Sequence, residues 1–162
     1  MNILASRLNR IQPSPTIAMS IKARELKAEG KDIIALAAGE PDFDTPDFIK
    51  EAAIKAINSG FTKYTPVSGT ASLKQAVLDK FKRDNGIEYK IDEVVISVGG
   101  KQSIFNLCLA ILEYGDEVII PAPYWVSYTD IVNLTGASPV VIACDINQSF
   151  KITPSQLEQN IS

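Results

Sequence analysis

The second half of the chain alternates between short apolar runs rich in β-branched residues and longer segments with helical periodicity. The apolar runs cover residues 93–98, 118–120 and 140–143. Because they are short, continuous and bounded by glycine or proline, each is predicted to be a strand buried on both faces. Strands of this kind separated by helices predict an α/β fold with a mostly parallel sheet and helices on both faces.

The first half is mainly helical, with one further strand predicted at residues 33–36. The predicted helices lie at residues 16–29, 46–59, 70–84, 101–113 and 124–135, with one more that begins at Thr153-Pro154 and is still open at Ser162. Thr45 is expected to cap the helix that follows it, because threonine before proline is a common helix start. The residues before Pro13 are expected to form an arm ahead of the domain, since Pro13 and Pro15 interrupt any helix there.

The composition excludes several classes of protein. The chain has 162 residues, 46% of them hydrophobic and spread along its whole length, so it has enough apolar residues for one core. It contains no histidine, which excludes a Ser-His triad, zinc held by histidine and imidazole acid–base catalysis within this chain. No apolar run approaches the roughly 18 residues of a membrane span, and no signal-peptide pattern is present. We therefore expect a soluble, cytoplasmic domain without membrane association.

Charge is distributed unevenly along the chain. Residues 1–90 carry 14 Lys or Arg and 11 Asp or Glu, whereas residues 91–162 carry 2 and 8. The basic residues are interspersed with acidic ones on amphipathic segments, which is typical of solvated helix faces, so nucleic-acid binding is not expected. Cys108 and Cys144 lie far apart in apolar runs and are expected to be buried structural thiols, not a disulfide or redox pair. No metal site is predicted.

The strongest local signal for a ligand is a predicted strand that runs through Gly99, Gly100 and Lys101 into a helix. Glycines allow the backbone to approach a ligand closely, and a helix start offers N–H groups and a partial charge of about +0.5. With Lys101 these features suit a phosphate group, although the spacing matches neither Walker A nor G-x-G-x-x-G. The alternative is that the glycines only allow the strand and the helix to pack closely.

Two other segments offer groups to a ligand. Trp125 is the only tryptophan and follows residues 118–120, near the expected carboxyl end of a strand, where ligands bind in open α/β sheets. Its ring can stack on a flat heterocycle, or it can be a packing residue of the core. The turn at Gly39 is followed by acidic residues, which either belong to a site or serve as turn formers and helix-start charges.

Four motifs follow one another along the chain, namely AAGEPDFDTP, KYTPVSGTASLK, VGGKQSIFN and PYWVSY. On these motifs the chain resembles the class I aminotransferases that depend on pyridoxal 5'-phosphate (PLP), and among them the bacterial aspartate aminotransferases, some of which accept prephenate. The likeness implies a partial, truncated three-layer sheet of the PLP-dependent transferase type (fold type I). Residues 1–45 would form the N-terminal arm and part of the small domain. Residues 46–162 would form the first part of the large PLP-binding domain.

The resemblance implies a role in cofactor binding for five residues. Gly99, Gly100 and Lys101 match the loop that binds the cofactor phosphate, mainly through backbone N–H groups. Trp125 matches the aromatic residue that stacks on the pyridine ring. Tyr64 matches the residue that reaches the cofactor phosphate of the neighbouring subunit, which implies a homodimer with shared sites.

The resemblance also implies substrate contacts. Gly39 matches a backbone contact to the substrate carboxylate, and Trp125 helps to hold the substrate. Thr16 and Lys101 lie where the family sets its side-chain specificity. At the position of Gln12 the members that accept prephenate carry a lysine. A neutral amide cannot pair with the extra carboxylate of prephenate, so activity on prephenate in addition to aspartate stays an open alternative here.

The resemblance finally implies groups that this chain lacks. The lysine that forms the Schiff base with PLP, the acid against the pyridine nitrogen and the arginine for the α-carboxylate are expected beyond Ser162. The complete enzyme is expected to move an amino group between L-aspartate or L-glutamate and a 2-oxo acid, whereas this chain alone is expected to be inactive and to expose apolar sheet edges. The alternatives are an alanine, aromatic or kynurenine aminotransferase, a phosphate-binding module without catalysis, and a non-functional remnant.

Overall fold

A computed structural model describes residues 3–162 of the chain. The described helices are α1 (Pro15–Ala28), α2 (Asp47–Asn58), α3 (Ala71–Lys80), α4 (Gly100–Ile111), α5 (Ser127–Thr135) and α6 (Pro154–Gln159). The described strands are β1 (Glu117–Ala122) and β2 (Ser138–Ala143). The chain forms two units, which we call the β unit (the described residues up to Gly39, with Ile104–Ser162) and the helical unit (Glu40–Ser103).

The core of the β unit is a β1–α5–β2 motif. The two strands pair in parallel, with Glu117 opposite Ser138 at one end and Ala122 opposite Ala143 at the other. Helix α5 connects the strands and packs against both of them. The buried side chains at the centre are Ile120, Val132 and Ala137, and they are surrounded by Leu112, Val118 and Tyr128. This motif confirms the predicted α/β class with parallel strands.

A short 3₁₀ helix, Ser6–Arg10, packs against α5 in the β unit. A guanidinium nitrogen of Arg10 lies so close to Gly136, the residue after α5, that a Cβ added to this glycine would be 3.1 Å from it. The residues predicted to form an arm therefore include a segment that is fixed to α5. The first two residues of that arm lie outside the described residues.

The helical unit has few buried side chains. Helix α3 continues as one turn of π-helix, Phe81–Asn85, and ends at Gly86. Val94 and Lys74 are buried in this unit. Gly69 packs against Ile96 so closely that a Cβ at this glycine would overlap the Ile96 side chain. The loop before α3 and the segment that leads to α4 are therefore in direct contact.

The strands predicted at residues 33–36 and 93–98 are wrong. Within residues 3–162 neither run is paired with a neighbouring strand, and Ile91–Glu93 forms a 3₁₀ turn. A strand needs a partner for its backbone N–H and C=O groups, and apolar composition alone does not supply one. The Ile34 side chain is 83% exposed, so the burial predicted for this run is wrong as well.

Several predicted helix ends differ from the structure, among them the start of α5, which is Ser127 and not residue 124. Helix α2 begins at Asp47 with Pro46 at its N-cap and no side-chain cap, so the predicted cap by Thr45 is wrong. Helix α6 begins as predicted, with Thr153 and Gln156 forming a reciprocal capping box. It ends at Gln159, where the pattern predicted a helix still open at the last residue.

Both cysteines are free thiols. Cys144 is buried, as predicted, whereas Cys108 is only half-buried. Burial raises the pKa of the Cys108 thiol, which keeps it protonated and unreactive near neutral pH. No helix of residues 3–162 has the length and apolar character needed to cross a membrane.

Candidate functional site

The glycine loop (residues 97–100) has a backbone shape that is fixed by its own hydrogen bonds. Gly99 has φ +79°, a left-handed conformation that favours glycine. Its N–H donates to the carbonyl of Ser97 over 2.9 Å, and the side-chain oxygen of Gln102 accepts from the N–H of Val98. The N–H of Gln102 donates to the carbonyl of Gly99 over 3.2 Å. The loop therefore turns the chain directly into α4.

Open space lies beside both glycines of the loop. A Cβ added to Gly99 or Gly100 would meet no described atom within 4 Å. The left-handed φ accounts for glycine at position 99, but Gly100 does not have such a φ. Close packing, the alternative suggested by the sequence, is therefore not found at Gly100. A glycine that neither conformation nor packing requires leaves room for a ligand to approach the backbone.

Helix α4 adds a favourable electrostatic field to this space. Gly100 and Lys101 are its first two residues, and the N–H groups in the first turn of an α-helix have no partner within the helix. Together with the helix dipole they favour an anion at this end. The Lys101 side chain is exposed and carries a full positive charge. The arrangement suits a phosphate group.

A cavity of about 650 Å³ lies in the helical unit beside the glycine loop. Its lining includes Gly99, Gly100 and Ser103, together with the apolar side chains of Val77 and Phe81. A space of this size is large enough for a small organic ligand. Within the described residues, no group of three or more His, Cys, Asp or Glu side chains is arranged to hold a metal ion.

Trp125 lies just beyond the carboxyl end of β1 and before α5, in the β unit. Its ring makes an edge-to-face contact with Tyr128, with centroids 5.5 Å apart and planes at 81°. The residue remains 43% exposed, so it is not the packing residue that the alternative interpretation required. An indole that is partly exposed to solvent and supported by a neighbouring ring can stack on a flat ligand ring.

The residues predicted to contact the substrate also lie in the β unit. Thr16, in the first turn of α1, lines a mostly apolar groove of about 540 Å³ together with residues 33–37. Gly39 follows that segment, is exposed, and has no described atom within 4 Å of an added Cβ. Gln12 is exposed and precedes α1. The groove thus brings Thr16 close to the segment that leads to Gly39.

Tyr64 lies in the helical unit, on the loop between α2 and α3, and its side chain is fully exposed. This unit therefore contains all the predicted phosphate contacts, namely Gly99, Gly100, Lys101 and Tyr64. Sequence patterns missed two residues that shape this region. The side-chain oxygen of Gln102 accepts a hydrogen bond from the N–H of Val98. The only sequence feature that pointed to this residue was its position three residues after Gly99. Lys74 is buried, and no periodicity indicated this.

Residues 31–162 match the family model described as "Aminotransferase class I and II". The chain belongs to this family. It is 60% identical over all 162 residues to the probable aspartate/prephenate aminotransferase of Rickettsia felis, and covers 40% of that protein. It is 61% identical over 159 residues, 98% of its length, to the aspartate/prephenate aminotransferase of Nitrosomonas europaea, again covering 40%.

The solved structures agree with this assignment. The aspartate aminotransferase from Thermus thermophilus with maleate superposes with a TM-score of 0.95 at 44% identity. The match covers 100% of this chain and 42% of that one. The chain thus spans about two fifths of the length of the relatives it matches. The predicted family and fold class are confirmed.

Proposed function

We propose that this chain supplies the cofactor-phosphate loop and part of the substrate site of a PLP-dependent aspartate aminotransferase. The observation that carries the proposal is the glycine loop, where Gly100 leaves open space at the start of α4 although neither its φ nor its packing requires a glycine. Relatives named aspartate/prephenate aminotransferase that match along the whole chain support the same conclusion.

The residues of the chain fit the cofactor by their chemistry. Gly99, Gly100 and Lys101 would surround its phosphate, with the N–H of Gly100 and the Lys101 ammonium as donors. The N–H of Gly99 is bonded to the Ser97 carbonyl, so Gly99 would contribute space and not a donor. Trp125 would stack on its ring, and Tyr64, which is fully exposed, would reach the phosphate held by a second copy in a homodimer. When bound, PLP supplies an electron sink for charge that develops on the amino acid.

We further propose that L-aspartate or L-glutamate is the amino donor and a 2-oxo acid the acceptor, in the cytoplasm. The structure of the Thermus thermophilus relative with maleate supports a dicarboxylic substrate. Thr16, Gly39 and Trp125 would contact the substrate, and Lys101 and Gln12 would influence its choice. The division at residue 45 into a small-domain part and a large-domain part belongs to the same proposal.

Ligand titration tests the phosphate loop. We expect the chain to bind PLP more tightly than pyridoxal, which lacks the phosphate. Gly100→Val should weaken PLP binding by about tenfold, because its side chain would fill the space beside the N–H groups. Ala71→Val, at the first position of α3, is the matched control and should leave binding unchanged. Equal affinity of the wild-type chain for PLP and pyridoxal would rule out the phosphate assignment.

A chimera tests the reaction. The chain replaces the matching part of the Nitrosomonas europaea relative, and oxaloacetate formation from aspartate and 2-oxoglutarate is followed with malate dehydrogenase. We expect activity from the chimera and none from the chain alone.

A panel with alanine, phenylalanine and kynurenine as donors separates the alternative aminotransferases, and preference for one of these would contradict the aspartate assignment. Gln12→Lys should raise kcat/KM for prephenate in the chimera without changing it for aspartate.

A further inference from the structure

Lys74 is the buried charged side chain of the helical unit. It lies on α3, is only 8% exposed, and its ammonium donates to the hydroxyl of Ser68 over 3.2 Å. Burying an ammonium costs free energy unless it makes hydrogen bonds to compensate. In addition, a positive charge near the start of a helix interacts unfavourably with the helix dipole. An apolar residue at this position would fill the same space without the free-energy cost of burying a charge. Packing alone therefore does not explain the lysine, and its hydrogen bond to Ser68 needs an explanation.

Ser68 connects Lys74 to the segment before the glycine loop. The carbonyl of Ser68 accepts a hydrogen bond from the N–H of Ile96 over 3.0 Å. The next residue, Gly69, has φ +101° and lies where any Cβ would overlap the Ile96 side chain. We call Lys74, Ser68, Gly69 and Ile96 the Ser68 clamp. The clamp joins two loops through one hydroxyl, one backbone hydrogen bond and one close contact.

The clamp matters because it ties the middle of the segment 94–98 to another loop, whereas Val94 is held by burial and Val98 by the bond of its N–H to Gln102. The segment pairs with no strand among the described residues, and the bond from Ile96 to Ser68 ties its backbone to another segment. Ile96 precedes Gly99 by only three residues. At the other end of the clamp, Ser68 follows Tyr64 by four residues on the same loop. The clamp therefore spans the two segments that carry the proposed phosphate contacts.

We propose that Lys74 is a positioning residue for the phosphate site. Its ammonium holds Ser68, and Ser68 fixes Ile96, so that the glycine loop and the start of α4 keep their place in the helical unit. The same hydrogen bond fixes the loop that carries Tyr64. This inference rests on the proposed function of the glycine loop. Lys74 itself does not touch the cofactor.

Hydrogen exchange of the Ile96 amide, followed by NMR, tests the clamp independently of any ligand. We expect Lys74→Met and Ser68→Ala each to speed exchange by about tenfold, and the double variant to be no faster than either single variant. Lys80→Met, a change of an exposed lysine on the same helix, is the control and should have no effect. Unchanged exchange in Lys74→Met, or additive effects in the double variant, would overturn the proposal.

Binding then connects the clamp to the phosphate. Lys74→Met should weaken binding of PLP by about tenfold and leave binding of pyridoxal unchanged, and Lys74→Arg should restore much of the loss because it keeps the donor. Faster exchange without any loss of PLP affinity would refute the positioning role. If the wild-type chain binds PLP no better than pyridoxal, the proposed function fails, and the exchange result still decides whether Lys74 holds Ile96.

Discussion

Two apolar runs of similar composition have different structures in this protein. Strand β2 pairs with β1, and its Ile142 is only 6% exposed. The run at residues 94–98 is even richer in valine and isoleucine, but it pairs with no described strand, and although its Val94 is buried its Val98 is 90% exposed. The difference lies in the neighbours and not in the residues. A β-branched run becomes a buried strand only where a second strand and a covering helix are available.

The β1–α5–β2 motif supplies both requirements within one stretch of chain. The crossover helix α5 covers the strands that it connects, so local connectivity brings all three elements together. Residues 94–98 are held by the backbone bond from Ile96, the contact of Gly69 with the Ile96 side chain, the burial of Val94 and the bond from the Val98 N–H to Gln102. The helical unit therefore depends on individual contacts where the β unit depends on a core.

The largest effect is expected from a cavity in the β unit. Ile120→Ala should lower the free energy of unfolding by about 3 kcal/mol, because Ile120 of β1 is buried in the core together with Val132 of α5. Ile34→Ala removes an exposed side chain from the other unpaired run and should cost less than about 0.5 kcal/mol. Urea unfolding followed by the fluorescence of Trp125 measures both. Equal losses would mean that residues 33–36 are covered in solution, and the comparison would fail.

A smaller effect is expected where Gly69 meets Ile96. Gly69→Ala should cost about 2 kcal/mol, since alanine must adopt a left-handed backbone conformation and its methyl group must also displace the Ile96 side chain. Gly60→Ala has the same backbone penalty without a neighbour and should cost about 1 kcal/mol. Urea unfolding followed by circular dichroism measures the difference. If the two variants lose the same stability, the contact with Ile96 does not hold residues 94–98.

The helix caps of the two units can also be compared, and here the expected effects are smaller. Thr153→Ala should cost about 1 kcal/mol, because Thr153 caps α6 and Gln156 of the same box donates to the carbonyl of Ala143 at the end of β2 over 3.1 Å. Thr70→Ala should cost less, since the Thr70 hydroxyl accepts from Leu73 over a longer distance of 3.4 Å. Exchange rates of the first-turn amides of α6 and α3 report each cap. A larger loss at Thr70 would contradict this order.

The smallest effect is expected from the exposed ion pair of the helical unit. A hydrogen bond from the Lys82 ammonium, 2.8 Å from the carboxylate of Glu88, lowers the pKa of that carboxyl. Because the folded-state pKa is the lower one, any stability from the pair exists above the ordinary carboxyl pKa and is lost as the pH falls through the lowered value. Both groups are exposed, so Glu88→Gln should not measurably shift the urea midpoint at neutral pH. A clear shift would show that surface charges help to hold this unit.

Helices were predicted well because their signals are local. Gly30, Gly60 and Gly136 follow α1, α2 and α5 with left-handed φ angles, and the glycine at each end was enough to predict the stop. Thr153 was predicted to start α6 by the same kind of signal. Thr45 failed because Pro46 occupies the N-cap position, and a shift of one residue in a cap depends on backbone angles that sequence does not specify.

The candidate site also contains features that the sequence predicted and features that it did not. The glycine loop is continuous in sequence, so its residue types and its position before a helix were visible without coordinates. The Ser68 clamp was not, because Ser68, Lys74 and Ile96 are brought together only by folding, and a lysine on a helix normally indicates solvent exposure. The exposure of Trp125 and the space beside Gly100 likewise required the structure, because both depend on which atoms come near.

The sequence by itself determined the order of helices and turns, the place of two glycines and a lysine at residues 99–101 before a helix, and the likeness to aminotransferases. Only the tertiary structure decided which apolar runs became strands, which cysteine was buried and where Lys74 found its partner. The physical reason is the separation along the sequence between the residues that interact. Helical hydrogen bonds and caps join residues a few positions apart, whereas strand pairing and the burial of a charge depend on residues that are distant in sequence.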